Sequence, residues 1–85
     1  MSMFLLVPNS NPDGIKAELL KSGLEYIDVP PNAYFISFRG TSEELSRILG
    51  ITDGHVGTGV IVQFTSYYGR LPTNIWEWVK SRWES

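Results

Sequence analysis

The segment from Gly57 to Tyr68 constrains the fold more than any other part of this chain. β-branched and aromatic residues dominate it and glycines punctuate its ends, a composition typical of a β-strand. Successive side chains of a strand point to opposite faces, so the segment divides into two sets. The first set is Val60, Val62 and Phe64, and the second is Ile61, Gln63, Thr65 and Tyr67. The apolar first set is expected to be buried, whereas the mixed second set suits a face that is half solvated or covered by a partner.

Length and composition set the limits within which this strand must fold. The 85 residues predict one domain, residues 1–85, because so short a chain has no room for a second core. The absence of cysteine excludes disulfides and thiolate metal sites. The net charge of −2 argues against a general affinity for phosphate backbones. The apolar run Phe4–Val7 is too short to cross a membrane and follows no basic leader, so we expect a cytoplasmic protein without membrane contact.

The pattern of apolar residues and turn signals predicts seven elements in the order strand, helix, strand, strand, helix, strand, helix. The predicted strands are Met3–Val7, ended by Pro8, then Leu24–Val29 at a sheet edge, Tyr34–Arg39, and the segment described above. Right-handed crossovers place the first and third strands in the middle and the first two helices on one face. The predicted fold class is therefore α+β: a ferredoxin-like βαββαβ antiparallel sheet with an additional C-terminal amphipathic helix.

Helix boundaries are marked by capping residues. Asn11 before Pro12 predicts the start of the first helix, and Gly23 its end. Thr41 with Glu44 three residues later forms a capping box for the second helix.

The last helix is predicted to start with Thr73 or Asn74 as its cap. On a helical wheel Ile75, Trp76, Val79 and Trp83 share one face, Trp78 sits at its margin, and Glu84 lies opposite. This pattern indicates a helix that docks on the domain.

No sequence pattern predicts a catalytic, metal or cofactor site. The glycines of Gly54–Gly59 precede a strand, whereas phosphate-binding glycines follow a strand and open a helix, so a mobile loop is the preferred interpretation. His55 is the only histidine, and with Asp53 alone it does not supply the three or four ligands of a zinc site. We therefore expect no enzyme activity, no catalytic residue, no cofactor and no metal.

One group of residues is expected to form an interaction surface. If Phe35, Arg39, Ile61 and Tyr67 share the sheet face away from the first two helices, that face carries aromatic rings and a guanidinium group. Tyr68, Arg70 and Trp78 extend the predicted surface. Burial by the last helix or by a second copy of the chain is the preferred interpretation, and stacking on RNA bases is the alternative.

The layout of the chain resembles the small ferredoxin-like family of CRISPR-associated endoribonucleases and their antitoxin relatives. The resemblance lies in Met3–Val7, in Asn32–Phe38 leading into Thr41–Leu45, in Val60–Val62 and in the aromatic C-terminal helix. Active members carry an aspartate at the end of the first strand and work as dimers. Here that position reads Val7-Pro8-Asn9, without a carboxylate, so the resemblance implies the fold and a dimer but not the nuclease activity.

These observations lead to a functional prediction. We expect a non-catalytic binding or regulatory module that acts through protein–protein contacts, as a homodimer or with another protein. The alternatives are an RNA-binding protein or antitoxin-like endoribonuclease, and a small-molecule sensor that uses the glycine loop.

Overall fold

The predicted order of seven elements is present. A computed structural model of the chain describes residues 1–83, so Glu84 and its predicted position on the last helix lie outside the described residues. The elements are β1 (Ser2–Ser10), α1 (Pro12–Ser22), β2 (Glu25–Val29), β3 (Ala33–Phe38), α2 (Ser42–Ile48), β4 (Thr58–Phe64) and α3 (Thr73–Arg82).

The four strands form one sheet in the order β2-β3-β1-β4, and all neighbouring strands are antiparallel. The first and third strands lie in the middle, and β2 is an edge strand, as the sequence predicted. The other edge is β4. Leu5 of β1 marks the register, because it is opposite Phe35 of β3 on one side and Val62 of β4 on the other.

The sheet is covered on both faces. On one face, buried residues of β1 and β3 pack with α1 and α2; this first core consists of Phe4, Leu6, Ile15, Leu19, Tyr34, Ile36, Leu45 and Leu49. On the other face, Ile75 and Val79 of α3 pack against Met3 and Phe35. The prediction that the last helix docks on the domain is therefore correct. Because β1 and β3 bury residues on both faces, they form the centre of the molecule.

The prediction that Pro8 ends the first strand is wrong. β1 continues to Ser10, with an irregularity between Pro8 and Ser10 in its pairing with β4. Pairing of β1 with β3 stops at Leu6, so the missing N–H of Pro8 breaks no bond to β3. The carbonyl of Pro8 still accepts a hydrogen bond from Asn32 Nδ2 at 3.2 Å.

The predicted caps hold at two of the three helices. The Asn11 side chain accepts a hydrogen bond from the N–H of Gly14, and Gly23 ends α1 in the left-handed conformation with φ 76°. The Thr41 capping box is complete in α2. The cap predicted for α3 is wrong: Pro72 occupies the N-cap position and no side chain caps the helix.

The prediction that Val60 and Val62 are buried is also wrong. They lie on the α3 side of the sheet, yet they are 53% and 44% exposed. Phe64, the third member of that set, is partly buried against α3. The reason is position: β4 is the edge strand, and α3 covers β1, β3 and the end of β4 but not its middle.

Candidate interaction surface

The aromatic face predicted from the sequence is largely covered by α3. Phe35 is only 8% exposed, and its ring lies 6.2 Å from the ring of Trp76, centroid to centroid, in a stacked arrangement. Its other neighbour is Phe64 of β4, at 5.3 Å. Phe35 is therefore a core residue that leaves very little surface for a partner.

Tyr67 reaches the same aromatic cluster by a route that strand alternation does not predict. β4 ends at Phe64, so Tyr67 and Tyr68 are outside the strand. The chain then bends, and the Tyr67 ring stacks on Trp76 at 5.1 Å with an interplanar angle of 20°. It also meets the ring of Trp83 edge-on at 4.9 Å. Such pairs contribute roughly 0.5–1.5 kcal/mol each beyond area burial, so Tyr67 holds the segment after β4 against α3.

The bend creates an open groove of about 500 Å³ between β4, this segment and α3. Its floor is formed by Phe35 and Phe64, and its rim includes Tyr68 and Arg70. Tyr68 is fully exposed to solvent. The groove is thus apolar at its base and carries one guanidinium group at its rim.

The remaining residues of the predicted surface are not brought together. Ile61 packs against the first core, on the α1 and α2 side, which corrects its expected placement beside Phe35. The parity of the strand explains this, because Ile61 is one residue away from Val60 and Val62 on β4. Arg39 is exposed and follows the end of β3 at Phe38.

Trp78 has contacts of its own on the opposite side of α3. The guanidinium carbon of Arg82 lies 4.4 Å from the centroid of the Trp78 ring. Arg82 Nε also donates to Glu25 Oε1 at 3.1 Å, which links α3 to β2. Trp78 therefore belongs to the β2 side of α3, whereas Tyr68 and Arg70 belong to the β4 side.

The structure adds residues that the sequence analysis missed. Val7 of β1 is opposite Val60, and Val62 lies next to the groove. We use the term β4 surface for the four exposed side chains Val7, Val60, Val62 and Tyr68. A signal for it was present: β4 holds no charged residue, which an exposed edge strand normally uses to discourage pairing.

The glycine loop before β4 is explained by packing. Gly57 is buried, and a Cβ placed there would lie 2.6 Å from the backbone oxygen of Ser10. Only glycine fits so close to β1.

The adjacent histidine forms a local pair. The imidazole Nδ1 of His55 lies 2.6 Å from the Asp53 carboxylate, and this hydrogen bond holds the pKa of Asp53 below its ordinary value of 3.8. Both side chains are exposed, and within residues 1–83 no cluster of three metal-ligating side chains includes them.

We compared the chain with models of protein families, with curated proteins and with solved structures, and none of the three comparisons found a match. None of the helices within residues 1–83 combines the length and apolar character needed to cross a bilayer.

Proposed function

We propose that this protein is a non-catalytic binding module that acts through protein–protein contacts and associates with itself as a homodimer. The single observation that carries the proposal is the exposed apolar β4 surface. In this chain of only 85 residues, the side chains of Val60 and Val62 in the middle of β4 are about half exposed. Contiguous exposed apolar residues of this kind mark interaction sites in monomeric folds.

The layout of the surface supports a protein partner. Val60 lies opposite Val7 in the β1–β4 pairing, and Val62 and Tyr68 line the same groove. Aromatic and arginine residues are enriched in protein interfaces, and Tyr68 and Arg70 stand at the rim of this one.

The groove also lacks the parts of a hydrolytic site among the described residues that line it. Its polar side chains are those of Ser66, Tyr67, Tyr68 and Arg70, together with the indole N–H of Trp76. No carboxylate or imidazole is among them to act as a general base. The absence of catalysis stays a prediction, as does the cytoplasmic location.

Sedimentation velocity over a concentration series tests the homodimer. We expect the weight-average mass to rise from one chain to two with concentration. The variant that tests the surface is Val62→Lys. It places a charge in the centre of the β4 surface and should shift the monomer–dimer transition to higher concentration. A wild-type chain that stays monomeric at the highest concentration that its solubility allows would refute the homodimer.

RNA binding is a second candidate, supported by one observation. Tyr67, Tyr68 and Arg70 line a common groove, and rings and guanidinium planes can stack on bases. Base stacking by Phe35 has no support, since α3 covers this residue. An RNA site predicts binding that weakens as salt rises and that is lost in Arg70→Ala. Arg39→Ala is the comparison variant, because Arg39 is an exposed arginine that does not line the groove. RNA mobility that is unchanged at low salt would eliminate this candidate.

A further inference from the structure

We propose that the homodimer forms by edge-to-edge pairing of β4 with β4 of a second copy, antiparallel and about a two-fold axis at Ile61. The two four-stranded sheets would then continue as one sheet of eight strands. This inference depends on the homodimer proposed above and specifies which atoms meet.

The first step identifies the backbone groups that point away from the sheet. The carbonyl of Pro8 accepts from Asn32, on the β3 side of β1, so Pro8 and every second residue before it direct their backbone groups toward β3. The alternate residues Met3, Leu5 and Val7 therefore bond to their β4 partners Phe64, Val62 and Val60. It follows that the outward N–H and C=O groups of β4 belong to Gly59, Ile61 and Gln63.

The second step is the register. A two-fold axis at Ile61 pairs each outward residue with an outward residue of the second copy: Ile61 with Ile61, and Gly59 with Gln63 in both directions. Each such pair exchanges two hydrogen bonds, so the register forms six. The same axis puts Val60 opposite Val62 of the second copy on the α3 side, in the close non-hydrogen-bonded position. With the axis at Val60, the outward backbone groups of Gln63 would have no partner within β4 of the second copy. With the axis at Val62, those of Gly59 would have none.

The third step compares the two edges of the sheet. β2 carries Glu25 and Asp28 and is followed by Pro30-Pro31, devices that discourage pairing. β4 carries neither charge nor proline between Thr58 and Phe64. The contrast within one sheet indicates that β4 is an edge kept free for a strand. A second copy is the occupant that the geometry favours, because a two-fold axis lets the same seven residues complement themselves.

Cysteine cross-linking tests the register directly, since the natural chain has no cysteine. Val60→Cys and Val62→Cys are prepared separately, and each is oxidised alone and in an equimolar mixture. Opposite residues in the non-hydrogen-bonded position have Cα atoms about 4.5 Å apart, within the range of a disulfide. Identical positions in this register are about 8 Å apart, from strand spacing and rise, which is too far. We expect a covalent dimer in the mixture and little in either variant alone.

Two controls accompany the cross-linking experiment. Leu20→Cys, at an exposed site on α1, measures disulfides formed by random collision. Circular dichroism establishes that the valine variants are folded.

Charge variants provide a second measurement that does not depend on oxidation. Val60→Lys with Val62→Lys puts two lysines opposite each other in this register, so we expect the dimer to dissociate. Val60→Lys with Val62→Glu puts lysine opposite glutamate of the second copy, so we expect association to return at low salt.

The outcomes separate this inference from the proposed function. Specific cross-linking in the mixture, together with rescue by the opposite charges, supports the β4 pairing. A dimer in sedimentation without preferential cross-linking in the mixture overturns the pairing and leaves the homodimer standing. A strict monomer overturns both.

Discussion

The attachment of α3 to the sheet gives the sharpest stability prediction. Val79 is fully buried between α3 and the sheet, so Val79→Ala should destabilise the whole domain. Two methyl groups lose burial, which costs about 1.6 kcal/mol at roughly 0.8 kcal/mol for each group. The cavity left behind raises the cost to about 2–3 kcal/mol, because the surroundings relax only in part. For a chain of this size that is a large share of a total stability of roughly 4–13 kcal/mol.

The assay is thermal and urea unfolding at fixed protein concentration, since dimerisation would otherwise shift the midpoint. At about 4–8 °C for each kcal/mol in a domain of this size, Tm should fall by roughly 8–24 °C. The three tryptophans all lie between residues 76 and 83, so their fluorescence reports on α3, while circular dichroism reports on the whole chain. The two signals should change together in wild type.

Lys80→Ala is the matched control, because Lys80 is the exposed neighbour of Val79 on the same helix. It should change stability by less than about 0.5 kcal/mol. If Val79→Ala were equally mild, or if fluorescence changed well before circular dichroism, α3 would not be an integral layer. The account of a sheet covered on both faces would then be wrong.

Three further predictions concern the loops and helix ends. Gly57→Ala should lower the free energy of unfolding by about 1–3 kcal/mol in urea titrations, because the new Cβ meets the backbone oxygen of Ser10, which cannot move aside as a side chain can. Thr41→Ala should cost about 1 kcal/mol in the same assay, because the first turn of α2 loses the acceptor of a 3.1 Å hydrogen bond. In NMR titrations the carboxyl pKa of Asp53 should lie below its ordinary value and rise toward it in His55→Ala, because the imidazole hydrogen bond to the charged carboxylate is lost while the backbone N–H of residue 55 still donates to it. Since the folded pKa is the lower one, any stability from this pair is present above the unfolded pKa and disappears as pH falls through the folded pKa. An unchanged Asp53 titration in His55→Ala would contradict the pairing.

Local signals in the sequence predicted the elements and their order well. The capping box at Thr41 and the Asn11–Pro12 start are short-range features, and the structure contains both. Phe35 also lies on its predicted face, away from the first two helices, where it packs with Ile75 and Val79 of α3. Each of these depends only on neighbours in the chain or on the period of a strand.

The failures depend on contacts between distant parts of the chain. Apolar alternation predicted burial of Val60 and Val62, but burial of an edge strand depends on how far α3 extends across the sheet. Pro8 fits within β1 because the pairing of β1 with β3 does not extend past Leu6, so β3 needs no N–H at position 8. Tyr67 reaches Trp76 because the strand stops at Phe64, and nothing in the alternating pattern marks that end.

The unequal edges of the sheet also bear on how far assembly can proceed. On the β2 side, Asp28 pairs with Lys16 at 3.4 Å and Glu25 pairs with Arg82 at 3.1 Å, so acidic groups and their counterions flank that margin. Charged side chains on an edge strand discourage the pairing of an additional strand there. If the proposed β4 pairing forms, it uses up the only uncharged edge of this sheet in its first step, so association through sheet edges would stop at two chains.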